Sequence, residues 1–136
     1  MATIKGIFVR NTKEAKYADL LADLEKPLET RSRNTLGRLA WEDVAIIRTG
    51  NGRPTIIGYI NFGTGTKLNY EEFRKAERYH LVPKGSDYDC KPGSFKWVYP
   101  VNTAHRCAPH PLPDNAIRHG RVWCEFEDDT LEQWHI

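Results

Sequence analysis

Lys26, Glu29, Arg31 and Arg33 fall within one stretch of eight residues. Together they hold the groups that anion recognition and proton transfer need. Arginine offers planar, paired donors matched to phosphate or carboxylate, and lysine offers a compact charge. Glu29 stands between the cations, where it could accept hydrogen bonds from a base edge or, once desolvated, act as a general base. The same set could instead be an internal salt-bridge cluster in which Glu29 neutralises Arg31 or Arg33, because ion-pair networks mimic active sites. Residue types alone leave both readings open.

Two other groups could carry chemistry. Phe95, Trp97 and Tyr99 alternate with Lys96 and Val98, and Tyr88 and Lys91 lie close by in the chain. Rings interleaved with bases suit single-stranded nucleic acid, although a strand with one aromatic face more commonly buries it. Trp41, just ahead of an apolar run, is expected to pack. His105, Cys107, His110, His119 and Cys124 supply zinc-type ligands, but their spacing matches no standard finger, so neither metal nor cofactor is expected. Cys90, beside Lys91 in a polar segment, could have some thiolate character. Gly63-Thr64-Gly65-Thr66-Lys67 lacks the four-residue spacer of a phosphate loop.

The elements that must position these groups can be read from periodicity. Ile4 to Val9 is apolar and β-branched, a first strand. Asn11 followed by Glu14 suggests a capping box for a helix running from Lys13, with Tyr17, Leu20, Leu21 and Leu24 on its buried face and Pro27 as its stop. Glu29 to Asn34 then alternates, which places Glu29, Arg31 and Arg33 on one side of an extended segment. Trp41 to Arg48 and Thr55 to Phe62 read as a hairpin around Asn51-Gly52-Arg53-Pro54. Asn69 and Glu72 form a second capping-box pattern, opening a helix from Tyr70 to about Tyr79. Pro83 to Gly93 is an exposed excursion. The prolines at 109, 111 and 113 exclude a central strand from Cys107 to Pro113, and Ile117 to Glu127 is a last strand. Five or six strands with two short helices give an α+β fold whose sheet curls into a small barrel.

A chain of 136 residues fits one domain, spanning 1–136. No apolar run is long enough to span a membrane, and the first residues lack a secretory core, so no membrane association and a cytoplasmic location are expected. Three cysteines with no C-x-x-C pair argue against a disulfide framework. Residues 1 to 121 hold 20 bases against 13 acids, while the tail from Val122 holds five acids and no base. That imbalance permits an anionic partner without demanding one. It also leaves room for a protein-interaction module whose acidic tail docks on a basic partner.

Leu24-Glu25-Lys26-Pro27-Leu28-Glu29-Thr30-Arg31 resembles the G-x-K-x-x-E-x-R signature of the ASCH family, a branch of the PUA-like superfamily, with Leu24 where the family usually has glycine. Gly37, the strand through Ile46 and Ile47, and Gly58-Tyr59 extend the likeness over roughly the first sixty residues. The resemblance implies a PUA-like β-barrel with a cleft near the signature that holds RNA or a nucleotide. It makes Lys26, Glu29, Arg31 and Arg33 the expected binding residues. Some family members release acyl groups from N4-acetylcytidine, using a threonine three residues after the lysine. Here that position is Glu29, so that nucleophile is missing. A ribonuclease activity has also been ascribed to the family, in which case Lys26 and Glu29 would be catalytic. The expectation is therefore an RNA- or nucleotide-binding domain, with a hydrolase of modified nucleosides or RNA as the alternative.

Overall fold

A computed structural model of the chain describes residues 2–13, 15–50 and 52–128. Its centre is the hairpin of β3 (Asp43–Thr49) and β4 (Thr55–Phe62), antiparallel and paired from Asp43↔Asn61 to Arg48↔Thr55, as the turn residues predict. β3 is apolar almost throughout because both of its faces are covered. Ile46 and Ile57 belong to one buried cluster with Leu21, Leu36, Phe62, Phe73 and Tyr99. Ile47 and Ile56 belong to another with Ile4, Phe8, Cys124 and Phe126.

β1 (Ala2–Arg10) lies parallel to β3, so the chain between them must cross over. That crossover carries α1 (Tyr17–Ala22) and β2 (Leu28–Arg31), the elements that hold the charged motif. α1 is shorter than expected. Asn11 is not its N-cap, which is Lys16 with no side-chain cap, but it braces the first turn: its Oδ1 accepts from the Ala18 N–H at 2.9 Å and its Nδ2 donates to Asp19 at 2.7 Å. Glu14 lies outside the described residues. Pro27 is not what stops the helix. Leu24 adopts a left-handed conformation, φ 58°, and the N–H groups of Glu25 and Lys26 both turn back to the Leu20 carbonyl. The chain has therefore already reversed before the proline. The Asn69–Glu72 capping box forms as expected, and the helix it opens is split at Ala76 into α2 (Tyr70–Lys75) and α3 (Glu77–His80).

The remaining strands are β5 (Thr66–Asn69), β6 (Phe95–Pro111), β7 (Ile117–His119) and β8 (Trp123–Asp128). The α+β class holds, but the described residues form eight strands rather than five or six, and they do not close. The order is β2-β6-β4-β3-β1-β8-β7, with β5 also on β6, and among the described residues β2 and β7 do not pair. β6 is long enough to join two regions: residues up to Pro100 pair with β2 and β5, and those from Val101 pair with β4. Cys107 to Pro111 is thus strand, but an edge strand that among the described residues pairs β4 alone, in keeping with the exclusion of a central strand by its prolines. Pro109 falls in a bulge, where the register jumps from Ile56↔His110 to Gly58↔Arg106. No strand among the described residues pairs the outer edge of this half, so no donor is missed there. The expected single strand from Ile117 is instead a hairpin, turned through Gly120 at φ 65°.

The aromatic face of β6 is graded. Tyr99 is fully buried, Trp97 half-buried, and Phe95 exposed beneath the Lys67 ammonium, 4.4 Å from its ring centre. Trp41, expected to pack, is 65% exposed at φ 69°, with its indole N–H on the Thr64 hydroxyl at 3.1 Å. Asp129 and Glu132 of the acidic tail lie outside the described residues. No helix among the described residues is long and apolar enough to cross a membrane.

Candidate functional site

Between the end of β1 and the edge of β2 the sheet parts, leaving a cleft of about 490 Å³. In place of a backbone ladder, the side chain of Arg31 spans the gap. Its Nη2 donates to the Phe8 carbonyl at 3.0 Å and to Glu29 Oε2 at 3.0 Å. Glu29 Oε1 accepts from the Thr30 N–H at 2.8 Å and from Lys26 Nζ at 3.4 Å, and Lys26 also donates to the Leu28 carbonyl at 2.6 Å. Alternation along β2 sets this up, because Glu29 and Arg31 share a face while the left-handed Leu24 swings Lys26 back beneath them.

Lys26 is 1% exposed and Glu29 4%. Burial alone would raise the Glu29 pKa, but the combined charges of Arg31 and Lys26, with the Thr30 N–H, hold the carboxyl below its ordinary value. Lys26 moves down as well, because burial disfavours its charge more than Glu29 favours it. Both readings of the motif are therefore present in one arrangement: an internal ion-pair cluster that also forms the floor of an open cleft.

The walls come from parts of the chain far from the motif. Arg10 ends β1, Lys96 lies on β6 with its Nζ 3.1 Å from the Ser32 hydroxyl, and Arg121 sits at the β7–β8 turn. Among the described residues, five cations, counting Lys26 and Arg31, face the cleft against a single carboxylate, Glu29. Tyr88 stands at the rim, 40% exposed, edge-on to Tyr17 with ring centres 5.9 Å apart. Thr30, Ser32 and Thr49 also line the cleft.

Of the four residues expected from sequence, Lys26, Glu29 and Arg31 come together and Arg33 does not. β2 ends at Arg31, and Arg33 is exposed and does not line the cleft. Arg10, Arg121 and Thr49 were missed, having only distance from the motif to mark them. Lys96 and Tyr88 belong to the pattern of rings and bases that suits stacking, for which burial of the aromatic face was the stronger expectation, and both line the cleft.

The overall arrangement has solved counterparts. The ASCH protein of Zymomonas mobilis superposes with a TM-score of 0.63 at 14% identity, covering 79% of this chain and 73% of that one. A serine-to-alanine mutant of that protein gives 0.69 at 12% identity, covering 94% and 92%. The chain has the ASCH fold. No family model and no curated protein matches it by sequence. A tyrosine-to-phenylalanine mutant of the same Zymomonas protein superposes at 0.59 with 13% identity over 79% of this chain and 76% of that one. Leu24, which stands where the signature it resembles usually has glycine, is left-handed at φ 58°, a conformation in which a Cβ is unfavourable.

The remaining candidate groups do not line this cleft. Arg106 clamps α1, donating to Asp23 at 2.7 and 2.9 Å and to Asp19 at 3.0 Å. His105 rests on Tyr59, His119 stacks on Trp123, and Cys124 is buried. Among the described residues no three His, Cys, Asp or Glu side chains gather around a point that could hold a metal. Cys90 is buried, and burial pushes its thiol up, away from thiolate character.

Proposed function

We propose that the cleft binds RNA or a modified nucleotide. The observation that carries this is the charge of the cleft: cations from β1, β2, β6 and the β7–β8 turn converge on it, and the one carboxylate lining it among the described residues, Glu29, is already engaged by Lys26 and Arg31. Phosphate would lie against Arg10, Lys96 and Arg121, of which Arg10 and Arg121 are exposed. A base would stack on Tyr88 and present its edge to the Glu29 carboxylate and the Ser32 hydroxyl. Oε2 of Glu29 takes one hydrogen bond, from Arg31, and so has a lone pair left for a base N–H donor.

Titrating short RNAs and nucleotides into wild type and Arg10→Ala, Lys96→Ala and Arg121→Ala variants tests this. Binding should weaken in each variant, and each lost phosphate contact should reduce the salt slope by about 0.7. Equal affinity in all four proteins, or no binding below about 50 mM salt, rules it out.

One observation favours a second reading, hydrolysis of a modified nucleoside or RNA. Lys26 is a buried lysine with a lowered pKa, touching Glu29 at the floor of an open cleft, the setting in which lysines become bases. Turnover of N4-acylated cytidines or RNA that is abolished in Lys26→Met would establish it. Turnover that survives both Lys26→Met and Glu29→Gln would remove these residues from the mechanism.

A further inference from the structure

A cleft that holds one nucleotide can serve a free nucleotide or one unit of a strand, and the surface at its mouth decides between them. Here that surface is the β7–β8 hairpin, whose tip residue Arg121 lines the cleft. From Ile117 to Trp123 the hairpin carries Arg118, His119 and Arg121 and no acid. Gly120 at the turn has open space around it: a Cβ there would meet nothing within 4 Å.

Two features make this more than a solvated edge. First, its arginines are uncommitted. Arg48, Arg74 and Arg106 each pair with a carboxylate, whereas Arg38, Arg118 and Arg121 form no ion pair among the described residues. Second, the cations are laid against rings. Arg118 lies 5.1 Å from the centre of Phe8, itself a wall of the cleft, and Arg38 lies 5.9 Å from the centre of Trp123. His119 is stacked on that same Trp123 at 4.1 Å and 20°, and remains exposed. The contact opposing an anionic ligand is Glu125, whose Oε2 is 3.1 Å from His119 Nε2.

We propose that the β7–β8 hairpin and Arg38 form a second nucleic-acid subsite continuous with the cleft, so that the ligand is a single strand of RNA several nucleotides long rather than a free nucleotide. This rests on the nucleotide-binding reading of the cleft. A strand whose one nucleotide enters the cleft passes Arg121 on leaving it, and its next phosphate meets Arg38, on the face of the hairpin that carries Trp123. The His119–Trp123 stack then offers a platform to an unpaired base, which a duplex would not present.

The experiment compares the four ribonucleoside monophosphates with mixed-sequence oligoribonucleotides of four and eight residues, on wild type and on the exposed double variant Arg38→Ala/His119→Ala. In wild type the octamer should bind at least tenfold tighter than any monophosphate and with a steeper salt dependence. The double variant should leave monophosphate affinity unchanged and weaken the octamer by about tenfold, the loss expected for one stacked base. An octamer no tighter than a monophosphate, or a loss that falls equally on both, overturns the second subsite and leaves the cleft reading intact. Binding of neither probe to wild type overturns the cleft reading itself. A duplex of the same length that competes as well as the single strand overturns the stacking platform.

Discussion

The Lys26 ammonium lies 3.4 Å from Glu29 Oε1, with both side chains withdrawn from solvent at the floor of the cleft. Glu29 is held charged there by Lys26 and by Arg31, 3.0 Å from Oε2, while Lys26 has Glu29 as its counter-charge and Arg31 acting against it. Glu29→Gln should therefore destabilise the protein by about 3 kcal/mol, since it leaves Lys26 buried without a counter-charge. Urea unfolding measures this. A midpoint that does not move would mean that the pair is solvated in solution.

Acid should unfold the protein in two stages. His80 is buried and neutral: its Nδ1 accepts from the Val82 N–H at 2.9 Å and its Nε2 donates to the Phe73 carbonyl at 2.6 Å. Burial lowers its pKa, so the unfolded chain takes the proton first and stability falls as pH drops below about 6.5. The second stage belongs to Glu29, Asp19 and Asp23, all held below their ordinary values. Their stabilisation is present above about pH 4 and lost as pH falls through their folded pKa values. Unfolding free energy measured from pH 8 to pH 3 should show both stages, and His80→Gln should flatten the first. An unchanged slope between pH 6.5 and 5 in that variant would assign it to other groups.

Leu24→Gly should stabilise the protein. Leu24 is half exposed, so little burial is lost, while relief of the left-handed backbone is worth about 1 kcal/mol. The unfolded-state entropy of glycine offsets part of that gain. Thermal or urea unfolding decides the sign, and a destabilised variant would show that the leucine side chain contributes more than its exposure suggests.

Tyr88→Leu should weaken nucleotide binding by about 1–3 kcal/mol, the range for one stacked base. Tyr88→Phe should bind almost as wild type. Equal losses in the two variants would transfer the role from the ring to the hydroxyl.

Local patterns were legible because their partners are close in sequence. The β3–β4 hairpin needed only two apolar runs and a turn between them, and the Asn69 cap needed only Glu72 three residues on. Lys26, Glu29 and Arg31 were legible for the same reason: strand alternation and a chain reversal are short-range geometry. Arg33 misled because alternation tells which side a residue takes but not where the strand stops. The prolines of β6 were legible as a bar to pairing on both edges, whereas the docking of this segment on β4 as an edge strand is a property of the neighbouring strand. Gly120 hid a turn inside what reads as one alternating run.

The sequence by itself determined an α+β chain with a charged motif at a helix-to-strand junction, since periodicity and turn chemistry act over a few residues. Only the tertiary structure decided that the sheet stays open, that the gap beside β2 becomes a cleft, and that Arg10, Lys96 and Arg121 stand around it. Those groups come from β1, β6 and the β7–β8 turn. Strand pairing over roughly a hundred residues of chain sets their approach, and no local spacing encodes it.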